Sequence, residues 1–286
     1  MNKKMMLKQM EHFGDLYRSD FLKLDKPDIL SFNNLERLSN SWWYALLSFF
    51  GVSFLQGRRD ELSNKFIKCA KEALNLYFFG DEIAKKWKLK VLCKTVSPEV
   101  FLKVKNDCSQ TEEMDDFSRM LCEKNVNRER DRKMVLHTLC FVNNLSEYDN
   151  NIVSYSKTMI SEGKLEDLYR ELQKIHSVGP KIASLWIRDL VTIFGLEEFL
   201  GSTAKFWEYM FPVDTWVEQF YRFFKEIKED SPENSINIQK LVADMVDQCK
   251  QEALNPSKVN QGIWYSSKHP WIVISECSEL NSLKSL

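Results

Sequence analysis

Apolar positions along most of this chain recur every three or four residues, the spacing that puts them on one face of an α-helix. Residues 40–56 hold Trp42, Trp43, Tyr44, Leu46, Leu47, Phe49 and Phe50 ahead of Gly51, which predicts a helix buried on most sides. It ends near the polar run Gln56-Gly57-Arg58-Arg59-Asp60. Residues 61–79 continue helically, with Phe66, Ala70, Ala73, Leu74 and Tyr77 as one stripe. Pro98 begins another helix, because proline suits a first helical turn. Residues 108–130 are charged and lack a core stripe, so a loop or an exposed helix is expected there. Residues 131–145 read as a helix with Val135, Leu139 and Val142 inward.

Two helices joined by a short turn come next. Leu165, Leu168, Leu172 and Ile175 line the first, and Ile182, Leu185, Trp186, Leu190 and Ile193 line the second. The turn between them is His176-Ser177-Val178-Gly179-Pro180. A linker ending Phe211-Pro212-Val213-Asp214 leads to a helix over 215–227, then a polar loop over 229–237 and a helix over 238–253. The tail from Asn255 reads as irregular, with Trp264, Tyr265 and Trp271 standing out. Strand signals are weak, and Trp271-Ile272-Val273-Ile274 is the one short candidate. Nine glycines and seven prolines in 286 residues favour long helices over a turn-rich β architecture. The expectation is an all-α fold.

Charge and cysteines narrow the function classes. The net charge is −1 and the pI about 6.5, so overall charge gives no vote for nucleic acid. A nucleic-acid role needs the cations sorted onto one face. None of the seven cysteines forms C-x-x-C, which argues against a zinc knuckle or a thioredoxin-type site, and no iron–sulfur spacing occurs near the C-terminus. The odd count, with no secretory signal, predicts reduced thiols in an intracellular protein. The run from Trp42 to Leu55 is too short to span a membrane. Four isolated histidines offer no metal site, and no cofactor is expected.

The turn at 176–180 has a physical use. The free N–H groups at the start of the second helix can bind a phosphate, and Gly179 lets the backbone come close. Such a contact ignores base identity. A plain αα-hairpin in which the glycine only makes the turn is the other reading. Lys181, in the first turn of the second helix, opposes the helix dipole at a cost of about 0.3–1 kcal/mol. That field, with partial burial, would lower its pKa and favour the nucleophilic neutral amine. A lysine that binds phosphate as a point charge is the alternative. Asp214 is a favoured N-cap type for the following helix. Thr215 with Glu218 offers a capping box of its own, which would release Asp214 for other work.

Ile175-His176-Ser177-Val178-Gly179-Pro180-Lys181-Ile182-Ala183, followed by Pro212-Val213-Asp214-Thr215-Trp216-Val217, resembles the helix-hairpin-helix DNA glycosylase superfamily. Its signature is a hairpin L-P-G-V-G-x-K-x-A and then a V-D segment opening a helix. Ser177 replaces the first hairpin glycine, and 33 residues separate Lys181 from Asp214. The long spacing and the missing cysteine cluster are similar to the archaeal 8-oxoguanine glycosylase branch rather than the endonuclease III branch.

The resemblance implies a bifunctional DNA N-glycosylase and AP lyase acting on an oxidised base, most readily 8-oxoguanine. Lys181 would be the nucleophile and Asp214 the carboxylate beside it. Trp264, 50 residues after Asp214, Leu185 and Gln56 would hold the flipped base, and Ser177, Val178 and Gly179 the DNA phosphate. The carbonyls of Gln173, Ile175 and Val178 match positions where some relatives hold a monovalent cation. The partner would be double-stranded DNA carrying a damaged base, met by a monomer and with no membrane involved. Arg58 and Arg59 are candidates for the DNA backbone, and His176 is read as a hairpin-side residue. Trp42, Trp43, Phe49, Phe50 and Trp186 are read as core. Two helical subdomains flanking a DNA-binding cleft are implied, one over 40–205 and the other from 1–39 with 206–286. The same chemistry on an oxidised pyrimidine, uracil or mismatched thymine stays open, as does a binding module without catalysis.

Overall fold

The computed structural model describes residues 3–22, 35–55, 60–79, 121–126, 128–200, 204–227 and 236–268. Among them every regular element is helical and no strand occurs, in line with the all-α expectation. The helix predicted from Pro98 and the strand at 271–274 lie outside the described residues. The contacts group the elements into two compact units, changing over between Trp186 and Ile187.

One unit holds α1 (Lys3–Asp20) together with the chain from Ile187 onward. It includes α9 (Ala204–Glu208), α10 (Thr215–Lys225), α11 (Ile238–Gln251) and α12 (Pro256–Lys268). Met6, Met10, Phe13 and Tyr17 form the buried stripe of α1, at the three- and four-residue spacing of one helical face. They pack into a core with Phe224, Met245 and Ile263.

Helix α12 corrects the irregular tail expected from Asn255. Pro256 opens the helix, and the Asn255 side-chain oxygen accepts from the backbone N–H groups of Ser257 at 2.9 Å and Lys258 at 3.1 Å. Its buried face carries Ser257, Asn260, Gln261 and Gly262 beside Val259 and Ile263, so small and polar residues hide the apolar period. The face suits a close approach rather than an apolar interface. A Cβ on Gly262 would lie 1.7 Å from the Met10 carbonyl oxygen, and one on Gly14 would lie 2.2 Å from that of Lys258. With the two backbones this near, polar side chains join the helices: Arg18 Nε donates to Gln261 Oε1 at 2.8 Å, and Tyr265 Oη to Asp20 Oδ2 at 2.8 Å.

The other unit runs from α2 (Leu35–Asn40) to Trp186. Its helices are α3 (Trp42–Ser53), α4 (Asp60–Phe79), α5 (Glu129–Asn143), α6 (Ile152–Ser161), α7 (Leu165–Leu172) and the first half of α8 (Pro180–Phe194). Phe49, Phe50 and Trp186 are core, as expected, and the Phe49 and Trp186 rings meet edge to face at 5.1 Å. Trp42 and Trp43 are only half-buried. Val135, Leu139 and Val142 are buried on α5 and Ala70, Ala73 and Leu74 on α4, as their periodicity predicted. Asn151 caps α6 with its side-chain oxygen and donates to the Leu38 and Ser39 carbonyls at 2.9 and 3.0 Å, which fixes α2 against α6.

Among the described residues no helix is long and apolar enough to cross a membrane. Cys69 and Cys249 carry free thiols, whereas Cys122 is disulfide-bonded, so the expectation of reduced thiols does not extend to Cys122.

The backbone contact at Gly262 gives a stability prediction. Gly262→Ala must push α12 away from α1, and overpacking of this kind costs about 1–3 kcal/mol or more. Urea unfolding is expected to show that loss, while Gly179→Ala, whose added methyl group meets no atom within 4 Å, serves as a near-neutral control. Equal midpoints for the two variants would refute the close crossing.

Candidate functional site

The turn between α7 and α8 is built from its own backbone bonds. Ile175 N–H donates to the Leu172 carbonyl at 3.1 Å and Val178 N–H to the Ile175 carbonyl at 3.0 Å. Ser177 lies between them in the left-handed region, at φ 66°. Serine thus adopts a conformation that costs an L-residue roughly 1–2 kcal/mol, at the position where the resembled signature has glycine. Of the expected phosphate contacts, Val178 has a buried side chain and an N–H already bonded within the turn. Gly179 has open space on its Cβ side. The Ile175 carbonyl, one of three suggested for a monovalent cation, keeps only its second lone pair for such a role.

Charged groups gather at this turn, which the net charge could not reveal. Arg130, in the first turn of α5, donates from Nε to Ser177 Oγ at 3.0 Å. Lys133 pairs with Glu129 one turn away on the same helix. The His137 and His176 rings lie 5.6 Å apart. Burial, then His176 and Lys133, push the His137 pKa down to about 4. Burial, then Lys133 and Arg130, push His176 down as well. Both imidazoles are therefore neutral near neutral pH, and the charged groups beside them are Arg130 and the Lys133–Glu129 pair.

Lys181 is half-buried in the first turn of α8, and its Nζ donates to the Leu55 carbonyl at 3.3 Å. The bond directs the side chain to the end of α3. Gln56, the next residue after Leu55, lies outside the described residues, as do Arg58 and Arg59. Leu185 is 1 % exposed, in the interior of its unit.

Asp214, Trp264 and their surroundings belong to the unit that contains α1. Asp214 is the N-cap of α10: Oδ1 accepts from Trp216 N–H at 3.0 Å and Val217 N–H at 3.1 Å. Thr215 is the first helical residue, so the alternative frame with Thr215 as cap is not adopted. Both capping bonds use the same carboxylate oxygen. Trp264 is half-buried on α12 against the core, with the Arg188 guanidinium 5.8 Å from its ring centroid.

The sequence reading missed Arg188 itself. It is fully buried and bonds Asp189 Oδ1, Tyr17 Oη and Asn260 Oδ1 at 2.7–2.9 Å. Burial opposes its charge, but Asp189, Tyr17 and Asp214 outweigh that, so its pKa is raised. The available signal was Arg188-Asp189 set inside the apolar stretch Trp186–Val191. Among the described residues no group of three or more His, Cys, Asp or Glu is arranged to hold a metal ion.

Comparison with family models, with curated proteins and with solved structures found no match.

A pH prediction follows from His137. Its folded pKa near 4 lies below the ordinary 6.5, so between these values the unfolded chain takes up a proton that the folded chain refuses. The stability from neutral His137 is present above the higher value and is lost as pH falls toward the lower one. Melting temperature is expected to drop between about pH 7 and about pH 5, and His137→Gln to flatten part of that drop. An identical slope in the variant would remove His137 as a cause.

Proposed function

We propose that this chain is a DNA N-glycosylase with AP lyase activity that removes an oxidised base, 8-oxoguanine first among them. The observation that carries the proposal is the hairpin at 175–181. Its backbone is left-handed at Ser177, a Cβ at Gly179 would meet open space, Arg130 bonds the Ser177 hydroxyl, and Lys181 follows in the first turn of α8. On this reading the turn is a helix-hairpin-helix that holds a DNA phosphate through backbone N–H groups, with Arg130 supplying charge.

The target base must leave the stack before its sugar can be reached. The deprotonated amine of Lys181 attacks the anomeric carbon. The glycosidic bond breaks, and its electrons leave with the base, which takes a proton. The opened sugar and the amine form a Schiff base. Loss of a proton from the neighbouring carbon then expels the 3′ phosphate by β-elimination. The Asp214 carboxylate stabilises positive charge developing on the sugar. The cap bonds in Asp214 orient that carboxylate through Oδ1. Trp264 stacks on the displaced base, a contact worth about 1–3 kcal/mol. The partner is duplex DNA with a damaged base, bound by a monomer inside the cell.

A second reading, a helix-hairpin-helix module without catalysis, draws support from two bonds. Lys181 already serves the Leu55 carbonyl and Asp214 already serves as a cap, so each has a structural use of its own.

Borohydride trapping on duplexes with single defined lesions separates the two. We expect a covalent adduct with an 8-oxoguanine duplex, and none with Lys181→Gln; no adduct with any lesion would sink the lyase claim. Asp214→Asn keeps the capping oxygen, so it is expected to retain stability and DNA binding. Base excision in single-turnover assays should nonetheless fall by about 10²-fold or more, the size of effect typical of a lost electrostatic stabiliser. Unchanged excision would return Asp214 to the role of a cap alone.

A further inference from the structure

A buried guanidinium is costly unless its donors and charge are matched. Arg188 is 0 % exposed, and its partners are spread over three separate parts of one unit. Asp189 supplies the countercharge from the next position, with Nη2 to Oδ1 at 2.8 Å. Tyr17 on α1 accepts from Nη2 at 2.8 Å, and its ring lies 5.0 Å below the guanidinium. Asn260 on α12 accepts from Nη1 at 2.7 Å.

The bond to Asn260 has a consequence two residues ahead of Asp214. Only the amide oxygen of Asn260 can accept from a guanidinium, which fixes how its amide is turned. The amide nitrogen then points to the Pro212 carbonyl and donates to it at 3.1 Å. Pro212 has no N–H, and among the described residues no backbone–backbone bond outside the helices holds Pro212 or Val213. Asn260 is itself 0 % exposed, so this bond is shielded from water. The same guanidinium covers the Trp264 ring, one helical turn after Asn260. Matching Arg188 for stability alone would not require its partners to reach both the Asp214 turn and Trp264.

We propose that Arg188 and Asn260 are positioning residues, which hold the Pro212–Asp214 turn and the Trp264 ring in one register. The functional half of this claim rests on the glycosylase reading. The structural half does not.

The test uses the full chain with Asn260→Ala, and Asn260→Ser as a variant that leaves Arg188 a small polar partner and so protects folding. Hydrogen exchange reads the turn directly through the Trp216 and Val217 amides that Asp214 caps. Those amides are expected to exchange about tenfold faster in both variants, with α1 and α12 amides close to wild type. Excision of 8-oxoguanine should fall about 10²-fold, a loss typical of a misplaced group. Schiff-base trapping on a duplex with a preformed abasic site, where no base has to be released, should stay within about threefold of wild type. Wild-type exchange at Trp216 and Val217 in either folded variant overturns the proposal. So does a uniform rise in exchange across α1 and α12 with excision and abasic trapping falling together, because that pattern marks a plain structural role. If the wild-type chain excises no lesion, the glycosylase reading fails on that arm, and the exchange arm still decides the positioning claim.

Discussion

The approach of two glycines to two backbones sets the unit that contains α1. Gly262 on α12 faces the Met10 carbonyl and Gly14 on α1 faces that of Lys258, at separations that leave no room for a Cβ. Small residues stand at the crossing itself, and the Phe13 and Tyr265 rings stack beside it, their centroids 6.4 Å apart. Hydrogen bonds add to these contacts, from Arg18 to Gln261 and from Tyr265 to Asp20. The crossing also brings Tyr17 and Asn260 to the two sides of Arg188. Asp189 supplies the countercharge to Arg188, and α1 and α12 bring the partners for its remaining donors. Through Asn260 the guanidinium reaches the turn that ends in Asp214.

The other unit solves a different problem, a tight turn whose sequence lacks one glycine. Ser177 adopts the left-handed backbone anyway, and its hydroxyl accepts from Arg130 of α5. A charge-assisted bond of this kind is stronger than one between neutral groups, so it offsets part of the strain. It also carries a cation to the hairpin. The same substitution that departs from the resembled signature thus adds positive charge beside the proposed phosphate contact. Lys181 leaves the turn on the opposite errand, toward the end of α3.

Much of the fold was legible. The stripes of α3, α4, α5, α7 and α8 could be read because apolar residues recur along them at helical spacing. Asp214 as a cap was one of two frames, and the choice went to the residue whose carboxylate reaches both Trp216 and Val217 N–H. Helix α12 was not legible, because its buried face mixes Ser257, Asn260, Gln261 and Gly262 with Val259, Ile263 and Tyr265, which breaks the apolar period.

By itself the sequence determined the local chemistry: helical period, a turn at 176–180, a lysine in a first helical turn, and an aspartate at a helix start. These follow from interactions among residues three or four apart, which any short segment carries with it. Only the tertiary structure decided what those groups lean on. Arg130 reaches Ser177 across 47 positions, Asn260 reaches Arg188 across 72, and Tyr17 reaches it across 171. Such contacts are selected by how whole helix faces pack, and a polar residue gives no local sign of whether it will end in water or beside a buried charge.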